Sequence, residues 1–288
     1  MNGILLIDKP SGLTSRDVVN IVGKSLGTKK IGHTGTLDPL ATGVMVLCVG
    51  KYTKLVEMLT SYNKTYEASI VLGIKTDTLD ITGKVLEEKC SNISLSDILL
   101  ALKKFEGVYD QEVPIYSAVK INGKKLYEYA RENKTIELPK RSVNISKISL
   151  ISDIKYENNK TLFSIRCNVS KGTYIRSLIN DIASSLNTIG VMKELRRIEQ
   201  GNFNIENCYK ISDIENNNFK FVDLDTVFKD YFIVDINSNL YIDIKNGKIL
   251  ENIYNKDIIV FRYNGEYISI YKKYEKDKKL IKPWKMLL

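Results

Sequence analysis

The stretch Gly32-His33-Thr34-Gly35-Thr36-Leu37-Asp38-Pro39-Leu40-Ala41-Thr42-Gly43 runs directly into an apolar segment, 44–49. Three glycines, three threonines and a proline in twelve residues impose a defined, compact backbone. Such a loop at the edge of a buried strand can hold a polar side chain over a cleft. Its ionisable residues are Asp38 and His33, the only histidine in the chain. An Asp-Pro pair also starts turns, the carboxylate bonding its own backbone, and the residues taken alone favour that ordinary use.

Outward from this loop, the apolar period reads as mixed α and β. Residues 3–7, 44–49, 64–73 and 162–169 are expected strands. In 162–169 the polar and apolar positions alternate, so one face is wet. Thr14-Ser15-Arg16-Asp17 reads as a helix start, with Val18, Val19, Val22 and Leu26 on one face. Residues 96–105 predict a second helix. Ile175, Leu178, Ile179, Ile182 and Leu186 mark a third. Asn122-Gly123 is a hairpin turn, and Asn216-Asn217-Asn218 a polar connector. From about Tyr231, short strands with turn signals at Asn246-Gly247 and Asn264-Gly265 predict a small β domain.

A length of 288 residues fits about two domains. The apolar share of 43% and charged share of 27% are those of an ordinary globular protein. The longest apolar run, 44–49, is far below the roughly 20 residues that span a bilayer, so no membrane association is expected. The start MNGILLIDKP does not look like a secretory signal, which predicts a cytoplasmic protein. Cys48, Cys90, Cys167 and Cys208 stand far apart, as reduced thiols do. With one histidine and no close cysteine pair, no zinc pattern exists. The P-loop and G-x-G-x-x-G signatures are missing. Ser61-x-x-Lys64 lacks the companion motifs of an acyl-transfer site.

Charge points elsewhere. Lys and Arg total 43 against 34 acids, a net +9, and residues 236–288 hold eleven bases and six acids. A basic tail on a milder body suits a polyanion such as nucleic acid. Three further segments place polar groups suggestively. Lys64-Thr65-Tyr66 begins a strand with an aromatic hydroxyl. Lys171-Gly172-Thr173-Tyr174-Ile175-Arg176 joins a strand to a helix and puts Arg176 at the helix start, away from the end that favours cations. That placement calls for a specific carboxylate partner. From Tyr116 to Arg131, tyrosines alternate with cations, a pattern able to stack on bases and meet phosphates.

Together these segments closely resemble the bacterial tRNA pseudouridine synthase B family, which acts on uridine 55 of the tRNA TΨC loop. The matching stretches are DKPSGLTS (8–15), GHTGTLDPLATGV (32–44), KTYEASIVLG (64–73), PIYSAVKINGKKLYEYAR (114–131), SKGTYIRSLINDI (170–182) and LRR (195–197), in the family's order and spacing. The resemblance implies an α+β fold: a mixed, largely antiparallel sheet core flanked by helices, plus a small C-terminal β-rich PUA-like domain. It implies a catalytic domain at 1–230, with an RNA-contacting insertion at about 114–142, and an RNA-binding domain at 231–288.

Residue by residue, Asp38 matches the catalytic aspartate and Arg176 the arginine paired with it. Tyr66 matches the tyrosine that stacks on the target base and is placed to take part in proton transfer. Tyr174 and Leu195 match residues lining the uridine pocket, and His33 the histidine that fills the space left by the flipped nucleotide. Lys120, Lys124, Lys125 and Arg131 would meet the RNA backbone. The expected partner is the TΨC stem-loop of tRNA, bound by a monomer. No cofactor, nucleotide or metal is expected, because the reaction is an isomerisation. Met45 stands where the family usually has leucine, a volume-conserving change. Asn133 replaces a usual glycine and also tolerates a left-handed backbone. The alternative is a non-catalytic tRNA-binding or tRNA-folding protein on the same scaffold.

Overall fold

In the computed structural model, residues 1–132 and 134–288 are described; Asn133 lies outside them. The chain begins with β1 (Gly3–Lys9), α1 (Ser15–Ser25), β2 (Ile31–His33), β3 (Thr42–Val49) and the short helix α2 (Val56–Thr60). Next come β4 (Lys64–Leu72), β5 (Ile74–Thr76), β6 (Val85–Glu88), α3 (Leu95–Lys104) and β7 (Gly107–Glu112). The middle continues with β8 (Lys120–Ile121), β9 (Lys124–Lys125), α4 (Leu126–Arg131), β10 (Lys140–Leu150), β11 (Lys155–Glu157), β12 (Lys160–Val169), α5 (Ile175–Ser185) and β13 (Gly190–Gln200). Then follow β14 (Phe203–Asn204), α6 (Ile211–Glu215), α7 (Leu224–Phe228), β15 (Phe232–Asp235) and α8 (Ser238–Lys245). The last strands are β16 (Leu250–Glu251), β17 (Ile258–Tyr263), β18 (Glu266–Tyr274) and β19 (Asp277–Met286).

By packing, these elements form two compact units. The first contains Met1–Asp38, Met45–Thr60 and Asn202–Leu288; the second contains Pro39–Val44 and Ser61–Gly201. This division follows contacts along a different line from the expected boundary near 230.

In the first unit, β3 has β1 beside it and β2 on it, with His33 opposite Leu47. Both faces of β3 are covered, which is why it reads as an unbroken apolar run. Val18, Val19 and Val22 of α1 pack with Leu5 and Ile7 of β1, Met45, Leu47 and Val49 of β3, and Ile214 of α6. Met45 is wholly buried there. The same unit carries a five-stranded sheet in the order β15-β17-β18-β19-β16. Its core joins Ile259, Phe261, Ile268, Tyr271 and Ile281 to Ile244 of α8. The C-terminal part is therefore β-rich, as expected, with one helix added.

That helix corrects one sequence reading. The chain does turn at Asn246-Gly247, but the segment before it is α8 rather than one of the expected short strands. Asn237 caps the helix by accepting from the Leu240 N–H at 3.0 Å, and Leu240, Tyr241 and Ile244 face the sheet. Gly247 then takes φ +71°, the left-handed conformation that closes helices. Asn264-Gly265 does turn a hairpin, between β17 and β18, with both residues at positive φ.

The second unit is an antiparallel sheet in the order β13-β4-β12-β10-β7. Thr42 and Gly43 add to its edge, parallel to Arg196 and Arg197. Along β12, Phe163, Ile165, Cys167 and Val169 are buried, while Arg166 points out and pairs with Glu67 of β4 at 2.6 Å. The alternation is what one dry face and one wet face require. α5 covers the dry face: a Cβ added at Gly190 would stand 2.9 Å from Ala183 of α5 and 2.7 Å from Leu72 of β4. Asn122 and Gly123, both at positive φ, turn the small β8–β9 hairpin.

Candidate active site

In the first unit, Asp38 follows a residue held at both of its backbone groups. The buried Ser15 hydroxyl accepts from the Leu37 N–H at 2.8 Å and donates to the Leu37 carbonyl at 3.0 Å. Ser15 is fixed because it opens α1. The Thr14 hydroxyl accepts from the Asp17 N–H, and the Asp17 carboxylate accepts from the Thr14 N–H at 2.9 Å. Upstream in the loop, the Thr34 N–H donates to the Val46 carbonyl at 3.1 Å. The start of α1 and the loop segment 34–37 are thus one device, the first clamping the second. Asp38 is left half-buried directly beside the anchored Leu37. His33, half-buried, closes β2.

In the second unit, Tyr66 lies on β4 between Cys167 of β12 and Arg197 of β13. Leu195 sits opposite Ala68, so the period of two puts Tyr66 and Leu195 on one face. Both are buried. Burial pushes the Cys167 thiol up to about 12, which keeps it protonated. Lys64 shares that face, two residues before Tyr66, and donates to the Tyr62 carbonyl at 2.6 Å. Burial, reinforced by the charges of Arg197 and Lys171, lowers Lys64 to about 8.

Arg197 is almost wholly buried, and its Nε donates to the Val44 carbonyl at 2.6 Å. Gly43 passes so close that an added Cβ would stand 2.1 Å from the Arg197 carbonyl oxygen, and its φ is +104°. Only glycine satisfies both conditions.

Tyr174 is the N-cap of α5 and Arg176 its second residue. Arg176 is buried; Nη1 donates to the Thr78 carbonyl at 3.0 Å and Nη2 to the Tyr116 carbonyl at 3.1 Å. The Asp80 carboxylate lies 4.0 Å from Nη1. Asp80 is buried too and accepts from the Thr82 N–H and from the hydroxyls of Thr78 and Thr82. A buried guanidinium needs such an acid and such carbonyls, since an unmatched charge there costs several kcal/mol.

Lys120, Lys124, Lys125 and Arg131 gather on the β8–β9 hairpin and α4. Their tyrosines are covered by cations of the same segment. Lys125 Nζ and the Arg131 guanidinium stand 5.3 and 5.2 Å from the Tyr127 ring centre, and Lys124 Nζ 5.0 Å from that of Tyr129. Lys124 also pairs with Glu132.

The structure therefore places Asp38 and His33 in the first unit, and Tyr66, Tyr174, Arg176 and Leu195 in the second. Sequence reading passed over Asp80 and Arg197. Strand parity could have found Arg197, which must face the way Leu195 faces. For Asp80 the signal is Thr78-x-Asp80-x-Thr82, an acid between hydroxyls at equal spacing. Among the described residues, no group of three or more His, Cys, Asp or Glu is placed to hold a metal ion, and no helix is long and apolar enough to cross a membrane.

A model of the TruB family pseudouridylate synthases (N-terminal domain) matches residues 24–175. A tRNA pseudouridine synthase B of Lactobacillus acidophilus is 41% identical over 296 residues, covering 100% of this chain and 99% of its own. That of Mesoplasma florum is 43% identical and covers 94% of each chain. That of Bacillus subtilis is 38% identical over 100% of this chain and 98% of its own. Among solved structures, a Cbf5-Nop10-Gar1 complex matches at 25% identity and a TM-score of 0.70, over 94% of this chain and 78% of that one. An H/ACA RNP bound to a substrate RNA containing 2'-deoxyuridine shares the fold, with a TM-score of 0.73 at 22% identity over 99% of this chain and 85% of that one. With one family model spanning more than half of the chain and relatives near 40% identical along nearly all of it, the chain belongs to the TruB family of pseudouridylate synthases.

Proposed function

We propose that this protein isomerises uridine 55 in the TΨC loop of tRNA to pseudouridine, with Asp38 as the catalytic carboxylate. The observation that carries the reading is the double clamp of Ser15 on Leu37, which fixes the backbone next to an acid on a glycine-rich loop. Full-length relatives named as tRNA pseudouridine synthases support it.

The chemistry breaks the N1–C1′ bond, turns the uracil and joins C5 to C1′. Atoms and electrons balance within the nucleotide, so neither redox cofactor nor ATP enters. Three routes satisfy that balance: Asp38 adds to C1′, Asp38 adds to C6, or Asp38 removes the 2′ proton to give a glycal. Each needs an ionised carboxylate. Arg176 provides the opposite charge. Tyr66 stacks on the uracil and takes part in moving the C5 proton, and Tyr174 and Leu195 line the uridine pocket. Flipping the base costs a few kcal/mol, part of which His33 offsets by filling the vacated stack. Lys120, Lys124, Lys125, Arg131 and the basic residues of 231–288 hold the tRNA backbone. The protein works as a monomer in the cytoplasm, where its tRNA substrate is.

The test is an unmodified tRNA transcript incubated with wild type and Asp38→Asn, followed by chemical mapping of pseudouridine. Wild type should modify position 55 alone, and Asp38→Asn should bind tRNA normally without converting it. A tenth of wild-type turnover in Asp38→Asn, on the order of 1.4 kcal/mol in barrier, is too small a loss for a reacting group and would overturn the assignment. Wild-type binding without any conversion would favour the non-catalytic tRNA-binding reading.

A further inference from the structure

Gln111 is buried in β7 with 1% of its surface exposed, and its side chain bonds twice to Tyr174 and once to Tyr109. Its Oε1 accepts from the Tyr174 N–H at 2.7 Å. Its Nε2 donates to the Tyr174 carbonyl at 3.1 Å and to the Tyr109 hydroxyl at 2.6 Å. One amide thus grips both backbone groups of the N-cap residue of α5, as a neighbouring strand would. Tyr109 in turn donates to Asp181 of α5 at 3.3 Å, two helical turns beyond Tyr174. β7 therefore holds α5 at two rungs.

The need for this arrangement follows from the sequence at the helix start. Tyrosine is a poor N-cap, and the Tyr174 side chain makes no capping bond. The order that a Ser, Asp or Asn would supply must come from elsewhere. The Tyr174 carbonyl already accepts from the Leu178 N–H at 3.0 Å, the first helical bond, and Gln111 occupies its remaining lone pair. The glutamine amide carries its donor and its acceptor on separate atoms, so one side chain meets both backbone groups from β7. A carboxylate lacks the donor, and an asparagine is one methylene too short to span both groups.

We propose that Gln111 is a positioning residue for the isomerisation. By gripping Tyr174 at both backbone groups it sets the first turn of α5, and so the places of the Tyr174 ring and the Arg176 guanidinium; Tyr109 braces the amide from behind. This rests on the roles proposed above for Tyr174 and Arg176. A misplacement near 1 Å at reacting groups can cost about 100-fold in rate, so the effect belongs in turnover rather than in RNA affinity.

The experiment uses the full chain with unmodified tRNA transcript. Single-turnover rate at saturating protein, tRNA Kd and thermal midpoint are measured for wild type, Gln111→Met, Tyr109→Phe, Asp181→Ala and Asp38→Asn. Gln111→Met keeps volume and loses every bond of the grip. Its rate should fall about 10- to 100-fold while Kd stays within about threefold. Tyr109→Phe removes the brace and the rung to Asp181, leaves the grip on Tyr174, and should slow the reaction about threefold, again at constant Kd. A folded Gln111→Met within about twofold of the wild-type rate, or one whose lost rate is matched by lost affinity, overturns the proposal. If Gln111→Met does not fold, Tyr109→Phe decides beside Asp181→Ala, which loses only the rung to Asp181: slowing beyond that of Asp181→Ala at constant Kd supports the grip, and an equal or unchanged rate refutes it. Turnover by Asp38→Asn would instead undo the catalytic reading on which the grip depends.

Discussion

Replacing Asp181 by asparagine should make this protein more stable at neutral pH. Burial, with a smaller push from Glu112, raises the Asp181 carboxyl from 3.8 to about 6, although hydrogen bonds from Tyr109 and Asn180 oppose the rise. At 1.36 kcal/mol per tenfold change in proton affinity, that difference is about 3 kcal/mol. Asp181 is only half-buried, and the water it keeps reduces the figure to about 2 kcal/mol. The folded value lies above the unfolded one, so between about 4 and 6 the folded chain holds a proton that the unfolded chain gives up. The stability tied to this group is complete below about 4 and is lost as pH rises through about 6. The amide introduced by Asp181→Asn would not titrate, and its Oδ1 can still accept from Tyr109. For a chain of this length, about 2 kcal/mol corresponds to roughly 3 °C in midpoint. Thermal unfolding followed by circular dichroism should therefore show Asp181→Asn melting about 3 °C higher than wild type at pH 7.5, with the gain vanishing near pH 3.5. A gain of equal size at both pH values, or none at pH 7.5, would refute the reasoning.

Other outcomes follow from the same structure. Burial pushes the thiols of Cys48 and Cys167 up to about 12, whereas Cys90 is exposed; iodoacetamide at pH 8 should label Cys90 and spare the other two until urea unfolds the protein, as peptide mass mapping will show. Gly43→Ala should cost about 3–5 kcal/mol, because its Cβ would collide with the Arg197 backbone at a φ of +104°; urea unfolding within about 1 kcal/mol of wild type would contradict this. Alanine at the exposed Lys276, Lys278 and Lys279 should weaken tRNA binding and flatten the salt dependence of log K by about 0.7–0.9 for every phosphate that is no longer neutralised, and an unchanged slope would remove these lysines from the RNA surface. Deleting 231–288 is a poorer test, since Lys285 pairs with Glu57 and Lys54 donates to the Met286 carbonyl at 2.6 Å.

Much of this was legible in the sequence because local rules and tertiary packing agree. The buried run 44–49, the alternation of 162–169 and the spacing from Ile175 to Ile182 each match a burial pattern that the structure repeats. Asn246-Gly247 marked a turn correctly but could not tell what precedes it, because the dipeptide reports only a readiness for positive φ. A tight hairpin of this kind takes it at both residues, a helix end at glycine alone, and the residues before the pair decide which. The compactness of the loop around Asp38 was readable, but its anchor was not. Ser15 reaches Leu37 across 22 positions, and no periodicity links the two. The carboxylate expected beside Arg176 from its place in the helix has a counterpart within the second unit in Asp80, accompanied by two carbonyls that no side-chain pattern announces.

The discontinuity of the first unit also bears on how the protein is made. Its N-terminal core is finished by Ile214, Tyr209, Phe219 and Phe221, and β1 bonds to Tyr209 and Val222, all of which leave the ribosome after the whole second unit. At about 5–20 residues per second, synthesis of 61–201 keeps these partners apart for roughly 7–30 s. Meanwhile the apolar strands β1 and β3 lack the side chains that cover them, while the second unit already has nearly all of its own residues. The nascent chain should therefore fold from the middle outward, and its sticky beginning is the part that a trigger-type chaperone would have to shield until the end arrives.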